Sequence, residues 1–494
     1  MIIGGLDVGT TGCKIALYDE NAKLVETYYC EYDAVHKDGC HEIDMCDIKK
    51  GVLKILKTAV SDYRIDALGV TSFGETFAML DSEDNVLALS MLYTDQRGEE
   101  ECKSLCEAIG EERLTLISGV KPHPMYSIFK IMWFKNNKPE IFAKCKRILL
   151  GEDFIVYTLT GNAQIDYSLA ARTGAFDIEK KEWFNEAFSV ADIDVNLMSK
   201  PVVCGTCAGV ITNSIKCELG IDYDIYIVNG CHDQVAAMIG SGVFTTDCAM
   251  DGTGTVECMP VVLSEKPKNV DFYACGYSVV PYIDGFYACY ALSFTGGATL
   301  KWFRDNFAEF ENMNAENGGK NVYAELDEKC GTKPSGILVL PHFAGAATPY
   351  MDNDSKAAFV GITLETTKYD LYRALMEGTS YEMLLNFNKM RALTGKIDEI
   401  RASGGGATSD VWLQIKADIL NSEITALAAK EVGAAGTAAL AGTAVGVYEN
   451  FKDAAAKMAS VRKVFSPNPE NTKKYNELYR KYEKLYDAVK ELSL

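Results

Sequence analysis

Asp7-Val-Gly-Thr-Thr-Gly-Cys-Lys14 interrupts an otherwise apolar run from Ile2 to Tyr18, and Asp251-Gly-Thr-Gly-Thr255 interrupts a second run from Cys248 to Leu263. In both, an acidic residue and a Gly/Thr turn lie between strand-like stretches. After the first run, the polar Asp19-Glu-Asn-Ala-Lys23 and the apolar Leu24 to Tyr29 read as a turn and a returning strand, that is, a β-hairpin. Each copy opens a half of about 245 residues, which predicts two related domains, 1–245 and 246–494.

Between and beyond these hairpins strands alternate with helices. Ile65 to Ser72 reads as a strand, as does Asp222 to Asn229, ending at Gly230. Val235 to Val243, rich in small residues, reads as a helix packed closely on something. Ser335 to Pro341 is another strand. In Lys368 to Leu393, Leu371, Leu375, Met376, Met383, Leu384 and Phe387 recur with a helical period. This alternation predicts an α/β fold with substantially parallel sheets. After Pro467 and Pro469, Tyr475, Leu478, Tyr479, Tyr482, Leu485, Tyr486 and Val489 mark one apolar helix face, expected to dock on its own domain.

Composition narrows the partners. The 494 residues are 48% hydrophobic and 24% charged, with a formal net charge of −20. Such a surface suits neither nucleic acid nor an anionic membrane. Asp7 comes too early for a signal peptide, and the best apolar window, Gly336 to Tyr350, is broken by Pro341 and His342. A cytoplasmic protein is expected. The 16 cysteines are scattered. Cys204-Gly-Thr-Cys207 lacks the second pair a zinc site needs, and Pro201-Val-Val before it reads as a strand end, so a loop with two free thiols is expected.

Four segments carry chemistry. In Asp7 to Lys14, glycine lets backbone N–H groups approach a phosphate. Thr10 and Thr11 add hydroxyls, Lys14 adds a cation, and Asp7 is placed to hold Mg²⁺ through water; the bland reading is a tight hairpin turn. In Asn229-Gly-Cys-His-Asp233-Gln234, Asp233 stands at a strand's C-terminal end, where it could accept a proton from an attacking hydroxyl. A helix N-cap is the alternative, and His232 is a rival base more often found as a structural partner. Ala402-Ser403-Gly404-Gly405-Gly406-Ala407 leaves room for something flat and large such as adenosine, against the alternative of a flexible loop. In Thr71-Ser-Phe-Gly-Glu75-Thr76 and Tyr93-Thr-Asp95-Gln-Arg97, Glu75, Thr76, Asp95 and Arg97 could bond a polyhydroxylated substrate, or form a surface turn and a salt bridge.

In this order the four segments resemble the FGGY family of carbohydrate kinases over essentially the whole chain. Met125-Tyr-Ser127 to Asn137 looks like the family's N-terminal signature. Ala357 to Ile362 with Asp370 to Glu377 looks like its C-terminal one, with Leu375 as a departure. The resemblance implies two ribonuclease-H-like domains of the actin/Hsp70 type with a central cleft. The N-terminal domain would hold the sugar and the base, and the C-terminal one ATP. It maps the base onto Asp233 and substrate contacts onto Glu75, Thr76, Asp233 and Gln234. Phosphate contacts fall on Asp7, Thr10, Thr11, Lys14, Thr253 and Gly254. The adenosine pocket falls on Gly405, Gly406 and Ala407, with Gly296 nearby. Asp7 and Asp233 are the implied metal carboxylates, ATP and Mg²⁺ the implied cofactors, and a homodimer the family-level assembly.

Length and landmarks look most like the xylulose kinase branch, which implies phosphorylation of a ketopentose such as D-xylulose. Where xylulose kinases usually carry Gln-Met-His, however, this chain reads Phe73-Gly74-Glu75. Glu75-Thr76 resembles the glycerol kinase branch, which usually has an Arg where Gly74 stands. A glycerol- or erythritol-type polyol kinase is therefore the alternative. More distant alternatives are an actin-like ATPase and a non-catalytic sugar sensor.

Overall fold

The computed structural model describes residues 1–37 and 39–492. Its first sheet has six strands in the order Cys207–Val210, Tyr226–His232, Ala67–Ser72, Ile3–Val8, Gly12–Tyr18 and Leu24–Glu31. The three in the middle, Tyr226–His232, Ala67–Ser72 and Ile3–Val8, run parallel, and the rest pair antiparallel. Ala67–Ser72 is buried along its whole length, as a parallel strand covered on both faces should be.

The second sheet has seven strands and repeats this order. The hairpin Cys248–Thr253/Glu257–Leu263 and the strand Tyr287–Ser293 take the places of the first three strands of the chain. Glu399–Ser403 and Glu423–Leu427 then extend the sheet in parallel, Val461–Phe465 closes that side antiparallel, and Ser278–Pro281 adds a strand at the other edge. The likeness between the two hairpins is thus the local sign of a doubled α/β fold.

The strand expected at Asp222 to Asn229 begins later and continues through Gly230 to His232, with an irregular register between Asn229 and His232. The helix after it begins at Asp233 and ends at Gly240, where Gly242 at φ +75° turns the chain. Shorter shifts trim Ile65 to Ser72 to Ala67–Ser72 and Ser335 to Pro341 to Leu338–Leu340.

The close packing expected of this helix is against Val432–Ala444, a helix from the second half that lies across Ile3–Val8 and Ala67–Ser72 of the first sheet. A Cβ on Gly240 would meet Val432 O at 1.8 Å, and one on Gly436 would meet Ala236 O at 2.1 Å. The two backbones touch, so neither position tolerates a side chain without separating the helices. The terminal helices Pro469–Tyr482 and Leu485–Lys490 bury Tyr475, Tyr482 and Tyr486. Tyr475 donates to Glu377 Oε1 (2.9 Å) on the long helix Lys368–Thr394, so the tail docks on its own half. Among the described residues no helix is long and apolar enough to cross a membrane.

Candidate active site

The parallel strands Ile3–Val8, Ala67–Ser72 and Tyr226–His232 end side by side, and Asp7, Glu75 and Asp233 lie at or just beyond their C-terminal ends. Asp233 is the first residue of its helix and His232 the cap, so the N-cap alternative for Asp233 does not hold. About a third of the Asp233 side chain remains accessible. Burial pushes its carboxyl up to about 7, helped by the negative charges of Asp7 and Glu75; the Gln234 N–H and Arg172 oppose. A position at a helix N-terminus favours the anion, but desolvation and the two like charges win. The result is a carboxylate whose basicity matches a proton acceptor near neutral pH.

His232 is held well below its ordinary value by burial and by Arg172. Its Nε2 lies 3.1 Å from Asp233 Oδ1 without hydrogen-bond alignment. A neutral ring in contact with Asp233 is a packing partner rather than the base. The turn is fixed from behind: His232 N donates to Ser168 Oγ (3.0 Å), which donates to Asp166 Oδ1 (3.0 Å).

Glu75 occupies a tight turn at φ +63°, with Thr76 N donating to Gly74 O (2.7 Å). A non-glycine residue here stores strain, which functional loops tolerate when packing imposes it. Arg172 Nε donates to Glu75 Oε1 (2.6 Å), and Ser127 Oγ donates to Glu75 O (2.6 Å). Arg172 stacks over the Tyr126 ring at 5.2 Å, and Tyr290, from the second half, sets its ring 5.8 Å from His232. Thr76 Oγ1, Arg172 Nη1, His232 Nδ1, Asp233 Oδ1 and Tyr290 Oη are all buried polar atoms without a protein partner. Buried polar groups are normally bonded, and a concentration of unpaired donors and acceptors in one place suits a ligand rich in hydroxyls. Gln234 is half-buried beside them, its side chain free of hydrogen bonds among the described residues.

Asp95 and Arg97 are spent elsewhere. Arg97 grips both Asp95 oxygens (2.8 and 2.7 Å) and Glu42 (2.6 Å), and the buried Lys130 donates to Asp95 O (2.6 Å). The salt-bridge reading holds for this pair, which braces the loop behind Glu75.

The first loop expected to meet phosphate is the turn between Ile3–Val8 and Gly12–Tyr18, with Thr11 exposed at its tip and Thr10 half-buried. Burial pushes Asp7 up to about 6, against the pull of Lys14 and with the charge of Glu431 adding to it. Lys14 Nζ is paired with Glu431 Oε2 at 2.5 Å, immediately before the Val432–Ala444 helix, so its charge is shared from the outset.

The second loop is built differently. The buried Lys416 donates to Asp251 Oδ2 (2.5 Å), Thr253 Oγ1 (2.7 Å) and Glu257 Oε1 (2.7 Å), and stacks on Trp412. The Thr253 hydroxyl donates inward to Asp251 Oδ1 (2.5 Å). What the loop turns outward is the exposed Gly254 and Thr255.

Around this loop the glycines are steric necessities. A Cβ on Gly404, itself at φ +84°, would meet Thr253 O at 2.6 Å, and one on Gly406 would meet Thr253 Cγ2 at 2.5 Å. Gly296 N donates to Thr255 O (3.0 Å) and Gly297 N to Gly254 O (2.8 Å). The Gly296 and Gly404–Ala407 segments therefore converge on Thr253–Thr255. Gly405 is open, and Ala407 is buried beneath it. A flexible loop is excluded by these contacts.

Sequence reasoning missed Arg172, Tyr290, Lys416 and Glu431. Arg172 had one local sign, a lone cation in the small-residue run Leu169-Ala-Ala-Arg-Thr-Gly174. The others meet partners far away in the chain: Tyr290 faces His232, Lys416 meets Asp251 across 165 residues and Glu431 meets Lys14 across 417. At Cys204-Gly-Thr-Cys207, burial pushes the Cys204 thiol up, against the thiolate a redox motif needs.

A doubled α/β fold with a Gly/Thr turn in each half and a carboxylate of raised basicity at a strand end suits the transfer of a phosphoryl group, though a fold alone does not define an activity. The family models agree. The N-terminal domain of the FGGY family of carbohydrate kinases matches residues 2–240 and its C-terminal domain matches residues 252–445. The chain belongs to the FGGY family, and is an ATP-dependent sugar kinase. It is 27% identical to a xylulose kinase from Staphylococcus xylosus, covering 98% of this chain and 99% of that one. It is 26% identical to a gluconokinase from Bacillus subtilis, covering 96% and 93%. The structure of a ligand-bound xylulose kinase from Lactobacillus acidophilus superposes with a TM-score of 0.89 at 25% identity, covering 99% of this chain and 98% of that one.

Proposed function

We propose that the chain phosphorylates a hydroxyl of a small sugar, a ketopentose such as D-xylulose, with Asp233 as the general base. The observation that carries this is Asp233 itself. It is a carboxylate of raised basicity, about a third accessible, at a strand end beside a group of unpaired polar atoms, with Asp7 close enough for their charges to interact. As the acceptor oxygen attacks the γ-phosphorus, its O–P bond forms and the bond from the γ-phosphorus to the β,γ-bridging oxygen breaks. ADP leaves, and the hydroxyl proton passes to the Asp233 carboxylate.

Thr10, Thr11 and Lys14 on one side, and Gly254 and Thr255 on the other, would hold the phosphates, with N–H and hydroxyl groups aimed at the developing charge. Gly296 and Gly405 to Ala407 would take the adenosine. Thr253, with its hydroxyl turned inward, would contribute by shaping the loop. The domain division 1–245 and 246–494 goes with this assignment, the Val432–Ala444 helix reaching back onto the first domain.

Asp7 and Asp233 also suit Mg²⁺. Neither Asp7 oxygen has a hydrogen-bond partner among the described residues, and a hard oxygen set of one or two carboxylates plus phosphates is what that ion takes. When bound, the ion neutralises phosphate charge. No cluster of three metal-ligating side chains exists among the described residues, which fits an ion completed by nucleotide and water.

A second reading, a glycerol- or erythritol-type polyol kinase, is favoured by Glu75-Thr76. An actin-like ATPase would have no use for the polar pocket around Glu75 and Arg172, and a non-catalytic sugar sensor none for a base tuned near 7. The enzyme is placed in the cytoplasm, with neither nucleic acid nor membrane as partner and a homodimer as the family expectation. Asp233→Asn should retain ATP binding by calorimetry while phosphoryl transfer in an ADP-release assay falls by about 10³-fold or more. Near-normal turnover of this variant would refute the assignment.

A further inference from the structure

The pocket contains an arginine that its local motif lacks. Position 74, immediately before Glu75, is glycine, and a Cβ there would lie 3.1 Å from Arg172 Cγ, 3.3 Å from Arg172 Cβ and 3.2 Å from His232 Nε2. The space a side chain at position 74 would fill is filled by the Arg172 stem, which arrives from the end of the Tyr167–Ala171 helix. That helix is fixed by Asp166, whose carboxylate caps Ser168 N (2.7 Å) and Leu169 N (2.8 Å). Arg172 spends Nε on Glu75 and keeps Nη1 as a buried donor without a partner.

Charge decides what such a pair can receive. Asp7, Glu75 and Asp233 place three carboxylates around the acceptor position. Arg172 is already paired with Glu75, Arg97 with Asp95 and Glu42, and Lys130 is fully buried on a backbone carbonyl. His232 is neutral. An acceptor carboxylate would enter a field of like charge in which each of these cations already answers a carboxylate or a carbonyl, a cost that discriminates strongly in a desolvated site. Two adjacent hydroxyls meet no such penalty: one donates to Glu75, and its neighbour accepts from Arg172 Nη1.

We propose that Arg172 and Glu75, with Gly74 as the space that admits them, form the specificity pair of this kinase, selecting a neutral acceptor with vicinal hydroxyls and rejecting aldonates. The inference rests on the kinase assignment above and deepens it. The test is an ADP-release panel of D-xylulose, D-ribulose, erythritol, glycerol and D-gluconate on the wild type, Arg172→Lys, Glu75→Gln, Arg172→Ala and Gly74→Arg/Arg172→Ala, each checked for folding by thermal melting.

The wild type should use a neutral acceptor with kcat/KM at least about 100-fold above that for gluconate. Arg172→Lys, which keeps the charge and loses the fork, should raise KM for that acceptor about tenfold or more with KM for ATP unchanged. Glu75→Gln should narrow the preference against gluconate. The double variant, which returns a guanidinium to position 74, should recover part of the loss of Arg172→Ala. Gluconate used as well as any neutral acceptor, or a folded Arg172→Lys with unaltered acceptor KM, overturns the proposal and leaves the kinase standing. A wild type that phosphorylates nothing in a broader sugar panel brings down both.

Discussion

The two Gly/Thr loops proposed to hold the phosphates share a strand order, a hairpin and an Asp-x-Gly/Gly-Thr pattern, yet their acids live in opposite surroundings. Asp7 keeps its oxygens unspent, and Lys14, whose charge acts on it, is drawn off by Glu431. Asp251 is locked under Lys416 together with Thr253 and Glu257, all four side chains buried. Duplication supplied two similar hairpins. One leaves its carboxylate free for the proposed ligand chemistry, and the other has turned it into a brace that sets the loop backbone.

Breaking the comparison at its first member should have the largest effect. Asp7→Asn should lower kcat by about 10³-fold and weaken the Mg²⁺ dependence of ATP binding, while the melting temperature stays within about 2 °C of wild type. A melting loss as large as that of a core variant would show Asp7 to be structural like its counterpart.

At the second member the signs reverse. Lys416→Met leaves two buried carboxylates facing one another, and removing one partner of a buried ion pair costs about 3–5 kcal/mol. Denaturant unfolding should register that loss, while kcat of the remaining folded enzyme changes only a few-fold. Abolished turnover in a stably folded variant would instead make Lys416 part of the chemistry.

Gly406→Ala sharpens the link between brace and nucleotide. Its methyl group would press on Thr253, and overpacking of this kind costs about 1–3 kcal/mol. The expected readout is a KM for ATP raised about tenfold with little change in acceptor KM. An unchanged ATP KM would separate the glycine segment from the nucleotide.

The smallest effect is one of pH. Burial pushes Glu257 up to about 7, against the pull of Lys416 and with Asp251 adding to it. A carboxyl raised in the folded state contributes stability below its unfolded value near 4.5, and this is lost as pH rises through about 7. Glu257→Gln should therefore flatten the decline in melting temperature between pH 5 and 8 by about 2 °C; an unaltered slope would remove Glu257 as its source.

The parts of this architecture that could be read in the chain are those written locally. Hairpins, the strand end before Asp233, the Lys368–Thr394 period and the tyrosine face of the tail all lie within single windows. What escaped reading depends on distant pairing. Lys14 meets Glu431 across 417 residues, and Lys416 meets Asp251 across 165. The Val432–Ala444 helix escaped for another reason: it is apolar and small-residued all round, so it shows no amphipathic period. Thr253 illustrates the limit within a motif, since spacing placed its residue in the loop but not which way its hydroxyl turns.

The contact between Gly240 and Val432 and that between Gly436 and Ala236 make the helix that carries Asp233, the proposed base, a short lever. Asp233 stands at one end of it and Gly240 at the other, about 12 Å away along eight residues. A tilt of only about 5° at the glycine end would swing the carboxylate by about 1 Å, a displacement that can cost a catalyst about 10²-fold. A methyl group at Gly240 or Gly436, which forces the two helices apart, is thus a handle on turnover that acts through the seat of this helix rather than through the reacting atoms.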